Sequence, residues 1–132
     1  MKYFTLVLII LALSFICSTL SGETIAAPPS NFNEENAGTE ENPYLISNLA
    51  NLRWLSETSD VWGKAIYGSS NGEIYIEEKY HFLQTSDIDA SKTINRNDGL
   101  GFKGIGGIRY GTMLQRSFVG VYDGNNHIII EC

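Results

Sequence analysis

The sequence predicts a mainly β fold of short strands that turn corners, with one short α-helix near its start. Three stretches predict it. Phe118 to Cys132, FVGVYDGNNHIIIEC, sets two apolar runs around Asp123, Gly124, Asn125 and Asn126, residues that favour turns and tolerate left-handed backbone. That is a strand, a tight turn and a strand. In Tyr80 to Ala90, YHFLQTSDIDA, Leu83 and Ile88 lie an odd number of residues apart. They cannot share a face of one straight strand, so the chain must bend near Ser86. From Gly99 to Gly124 there are eight glycines, which suits short strands and close bends and makes poor helix.

The amino terminus comes first in order. Lys2 precedes an apolar run from Phe4 to Cys17, broken only by Thr5 and Ser14, and small residues follow at Ser18, Thr19, Ser21 and Gly22. This is the charged, apolar and small-residue succession of a secretory signal peptide over residues 1–22, with cleavage expected between Ser21 and Ala27. The run is short of the roughly 20 residues a membrane span needs. Lipid attachment at Cys17 is disfavoured by the bulky Phe15 and Ile16 before it. Once the signal is removed, Cys132 is the only cysteine left of the two, so no intramolecular disulfide can form even where export would permit one.

Of 9 basic and 15 acidic side chains, the signal holds only Lys2, so the mature chain is more acidic than the formal −6 of the whole. An acidic surface without a lysine or arginine cluster excludes nucleic acid and anionic membranes as partners. Neutral glycans and proteins remain. Membrane contact is expected only through the signal peptide.

Residues 23–42 follow, and their core, AAPPSNFNEENAGTEEN, is polar and acidic with Pro28 and Pro29. It has too little apolar surface to offset its ordering entropy and is expected to be a linker, its last part, Gly38 to Asn42, becoming ordered as a turn before Pro43. Residues 43–132 then hold the fold. Tyr44 to Ile46 is a short strand after Pro43. Ser47 stands where an N-cap should, and Leu49, Leu52 and Leu55 recur at helical spacing with Trp54 beside them, predicting a helix over Asn48 to Glu57. A helix this short is marginal alone and must lie on an apolar platform. Core packing explains Trp54 better than stacking on a sugar.

Ser59 to Asn71 mixes Trp62 and Tyr67 with glycines and serines, and Asn71-Gly72 is a strong turn signal. Glu73 to Glu77 alternates Ile74 and Ile76 with polar residues and Tyr75, the period of a strand with one wet face. A hairpin centred on Asn71-Gly72 is expected here, as a surface excursion. Ser91 to Gly99 reads as loop. The three isoleucines Ile128 to Ile130 lack polar alternation, so that strand is expected to have partners on both faces.

Several letter patterns carry no chemistry. Gly99, Gly101 and Gly104 spell GxGxxG, but IGGIRYGT after them cannot start the helix that dinucleotide binding requires. Asp87 and Asp89 resemble the start of a calcium loop, yet Lys92 stands at its sixth position and Asp98 at its twelfth. A looser oxygen site using Asp87, Asp89 or Asp123 stays open beside the simpler reading, in which these aspartates cap turns. His81 and His127 are expected in strands, and no serine, histidine and acid set can be recognised. Arg109 and Arg116 are the basic residues that a lyase-type reading would call on, and nothing in the sequence brings them together. No catalytic, cofactor-binding or metal-ligating residue is therefore assigned.

Four segments together resemble the opening of bacterial secreted and surface proteins with GLUG-type repeats. They are GTEENPYLISNLANLRWLSE (Gly38 to Glu57), HFLQTSDIDAS (His81 to Ser91), GFKGIG (Gly101 to Gly106) and FVGVYDGNNHII (Phe118 to Ile129). The resemblance implies the start of a right-handed parallel β-helix in adhesin-like proteins, with the helix at Asn48 to Glu57 covering its amino-terminal end. It carries no catalytic residues. The GLUG repeats themselves are missing, and the Val61 to Lys79 stretch resembles an insertion.

Solenoids need about three repeats for stability, and this chain supplies a cap and one or two rungs. It is therefore expected to be a fragment. The expected function is a non-catalytic secreted or cell-surface segment, adhesin-like, contacting a glycan or a protein. The alternative is the start of a carbohydrate-active β-helix enzyme, a lyase or hydrolase. A short stand-alone secreted protein is a third reading.

Overall fold

The computed structural model describes residues 23–67, 73–107 and 117–130. The signal-peptide expectation with Cys17, the Asn71-Gly72 turn, Arg109, Arg116 and Cys132 lie outside them.

The expected β-helix is not what the chain builds. The described residues form a small mixed α/β fold whose short strands are divided among small sheets, with no solenoid. Strands β1 (Tyr44–Ile46), β4 (His81–Gln84) and β6 (Val121–Asp123) make a parallel sheet in the order β1-β4-β6. Strands β2 (Lys64–Tyr67) and β3 (Ile74–Glu78) form an antiparallel hairpin. Strands β5 (Ile88–Asp89) and β7 (Ile129–Ile130) form a parallel pair. The physical reason lies in the core. Helix α1 (Leu49–Glu57) joins Tyr44, Ile46, Phe82 and Ile88 in a single apolar cluster, so one helix and a few short strands satisfy each other without stacked coils.

Helix α1 forms where the leucine spacing places it, with its cap one residue late. Asn48, not Ser47, is the N-cap, its side chain accepting from the Asn51 N–H at 3.0 Å. Ser47 instead donates its hydroxyl to the Asn51 side chain. Leu52, Trp54 and Leu55 are buried as expected. Trp54 lies edge-on to Phe32 and Tyr44, with ring centroids 5.2 and 5.7 Å away, inside the core. After the helix, a 3₁₀ turn over Ser59–Val61 returns Trp62 to the same core, where its indole N–H donates to the Leu55 carbonyl at 2.6 Å.

The stretch expected to be a linker is folded onto this core. Ala27 N–H donates to the Ala50 carbonyl at 3.1 Å, and Asn51 Nδ2 donates to the carbonyls of Ala27 and Pro28. Phe32 packs on Tyr44 and Trp54. Composition misleads here because a few residues, Phe32, Ala26 and Ala37, reach the core while asparagine side chains bond distant backbone. Asn31, 2% exposed, accepts from the Leu45 N–H and donates to the Pro43 carbonyl at 2.9 Å. A side chain thereby occupies the outer edge of β1, as a neighbouring strand would.

The corner expected near Ser86 lies between β4 and β5. Phe82 and Ile88, on its two sides, are both 1% exposed. The segment β6–β7 runs beside β4–β5 in parallel. His81 faces Val121 and Ile88 faces Ile129, so the second segment spends one more residue rounding its corner. Asn125 and Asn126 absorb it with φ values of 46° and 60°, a backbone that asparagine tolerates better than most residues.

Candidate interaction surface

The face where chemistry gathers is the corner shared by these two parallel segments. Gln84 lies two residues after Phe82 and so points the same way, into the core, where it is 1% exposed. A buried amide has to find partners. Its Nε2 donates to the carbonyls of Ser86 and Ile128 at 2.9 and 3.1 Å, and its Oε1 accepts from the Tyr122 hydroxyl at 3.1 Å. Gln84 thus pins both corners together. Burial pushes the Tyr122 hydroxyl up to about 12, which keeps it a donor across the physiological range.

The three aspartates open to a metal reading each serve a turn. Asp87 Oδ1 accepts from Ile128 N–H and from His127 Nδ1, both at 3.1 Å. The Ile128 amide first, and His127 second, hold its carboxyl below the usual carboxylate range. Asp89 Oδ1 accepts from the Ser91 N–H at 2.9 Å, and Ser91 holds that carboxyl low as well. Asp123 Oδ1 accepts from the Asn125 N–H at 2.8 Å. Among the described residues, no three His, Cys, Asp or Glu side chains gather into a metal-binding group. His81 opens β4, whereas His127 sits in the turn between β6 and β7 and not in a strand. Of the GxGxxG pattern, Gly99 ends a 3₁₀ turn over Asn97–Gly99 and Gly101 and Gly104 lie in the loop after it, with Gly99 and Gly101 at φ of 84° and 81°.

Outward from this corner the surface turns apolar. Ile128, Ile129 and Ile130 are 57%, 39% and 47% exposed, so among the described residues the expected partners on both faces are absent. The carbonyls of Ile128 and Ile130 accept from the amides of Ile88 and Ala90. The main-chain groups of Ile129 therefore point to the opposite edge, which no described strand occupies. The outer edge of β6 is likewise unoccupied among the described residues. Directly after β5, a cleft of about 270 Å³ opens between Ala90, Thr93, Ile94, Leu100 and Phe102. Leu100 at 86% and Ile94 at 51% exposure extend the apolar area. Sequence reading missed Gln84 and Asn31, although the in-phase spacing of Phe82 and Gln84 was available to it.

No helix among the described residues is long and apolar enough to cross a membrane. Compared with protein-family models, curated proteins and solved structures, the chain matches none.

Proposed function

We propose that this chain is an exported, non-catalytic contact module, acting outside the membrane or at the cell surface, that takes up an extended protein segment along the β6–β7 edge. The observation that carries the reading is β7 itself: exposed Ile129 and Ile130 on a strand paired on one side only among the described residues, with exposed Ile128 just before it. Exposed apolar strand edges are templates for strand addition, in which main-chain hydrogen bonds supply affinity and alternate side chains supply fit. The signal-like amino terminus and the resemblance to adhesin-like surface proteins support export and contact. The acidic charge keeps nucleic acid out of the reading.

The test is titration with a neutral peptide of alternating valine and threonine, followed by the amide signals of Ile128 to Ile130. Binding that moves those signals and is abolished by Ile129→Lys supports the proposal. Binding elsewhere, or binding indifferent to that substitution, overturns it. Incubation with bacterial and plant polysaccharides should release no reducing or unsaturated ends, and their release would favour the enzyme reading.

A further inference from the structure

The hairpin β2–β3 presents a second surface, separate from the β6–β7 edge. Its strands pair only with each other among the described residues. All five residues of β3 are exposed, with Ile74 at 59%, Tyr75 at 51% and Ile76 at 54%, and Ile66 on β2 adds 44%. A two-stranded hairpin is marginally stable in water without something to cover it.

Its base is held firmly. Gly63, at φ 87°, lies so close to strand β3 that an added Cβ would stand 2.6 Å from the Glu78 carbonyl oxygen. Next to it, Val119 N–H donates to the Trp62 carbonyl at 2.9 Å. The hairpin is thus anchored to the body at one end, and no other described strand lies along it.

The two faces of β3 differ in chemistry. Ile74 and Ile76 share one face, because side chains alternate along a strand. Tyr75 lies on the other, as does Glu73 two residues before it; Lys64 stands opposite Glu78 and Ala65 opposite Ile76, so Glu77 is the extra residue of a bulge. The Tyr75 hydroxyl donates to Glu73 at 2.6 Å, and Lys64 pairs with Glu77 at 2.5 Å. A strand laid along this edge meets apolar groups on one side and carboxylates on the other.

We propose that β3 takes up an extended basic segment of another protein as a third strand. Its apolar residues would cover Ile74 and Ile76, and its lysines or arginines would face Glu73 and Glu77. Charge complementarity selects this occupant. A second copy of the chain brings the same glutamates and a net charge of −6, and like charges opposite one another weaken strand pairing.

The experiment uses three synthetic peptides: alternating lysine and valine, the same peptide N-methylated at every second amide, and alternating glutamate and valine. Affinities are measured for the full mature chain, with the amide signals of Ile74 to Glu78 reporting location. The lysine peptide should bind there, and the methylated and glutamate peptides should each bind at least about tenfold more weakly, a difference that affinity measurements resolve readily. Ile76→Asp adds a negative charge, so general electrostatic attraction would strengthen binding, whereas docking on β3 requires it to weaken. Equal binding of the methylated peptide, or stronger binding to Ile76→Asp, overturns the proposal. The methylated peptide needs no variant, so misfolding cannot imitate its result. Signals moving at Ile128 to Ile130 instead would overturn this assignment while leaving the β6–β7 reading intact.

Discussion

Asp87 reaches from the corner after β4 to the main-chain N–H of Ile128, 3.1 Å away, and so ties the start of one strand pair to the other corner. The bond is stronger to the charged carboxylate than to the neutral acid. Because the folded carboxyl is held low, its contribution is fully present above the unfolded value of about 4 and is lost as pH falls through the lower folded value. Hydrogen-exchange protection of the Ile128 amide should therefore fall in that acid window. Asp87→Ala should lower protection at neutral pH and remove the step. A step that persists in Asp87→Ala would assign it to another group.

Asn31 guards the outer edge of β1. Asn31→Ala leaves the Leu45 N–H and the Pro43 carbonyl without that side chain, which should cost about 1–3 kcal/mol. It also uncovers a strand edge, so self-association should rise with the loss of stability. Denaturant melts and sedimentation velocity measure the two effects. A stable variant that stays monomeric would show that the edge is protected by something else.

Gly63 holds the hairpin base in left-handed backbone within reach of the Glu78 carbonyl and the Val119 side chain. Gly63→Ala adds a backbone penalty of roughly 1–2 kcal/mol to a contact that forces β2 and β3 apart. Thermal melting should show the loss, and amide signals of Ile74 to Glu78 should shift most. Gly99, where an added Cβ meets nothing within 4 Å at φ 84°, is the control, with the backbone penalty alone.

Elements built on local periodicity could be read from the chain. The helix appears through Leu49, Leu52 and Leu55, the hairpin through Ile74 and Ile76, and the bend near Ser86 through the mismatch of Leu83 and Ile88. The packing of Trp54 into the core also follows from its place beside those leucines. The expected turn over Gly38 to Asn42 is present, whereas the linker before it defeated the reading because polar composition conceals what Asn31, and Asn51 on the helix, do. Asn31 and Asn51 bond distant backbone and Asn42 accepts from Asn31, while Ala26, Phe32 and Ala37 pack on the core. The resemblance to β-helical surface proteins led to a coil, and the folded chain closes a small α/β core instead.

The sequence by itself determined that a short helix, short strands and turns follow one another in this order, since those depend on neighbours a few residues apart, and it determined the acidic charge that narrows the partners. Only the tertiary structure decided which elements meet. Gln84 becomes the link between two corners because Tyr122 and Ile128, far along the chain, arrive beside it. Ile128 to Ile130 are apolar in any reading, but whether such a run faces a core or an open edge is settled by what packs against it. Burial is a property of the assembled chain, and the physics of a strand fixes only which side chains share a face.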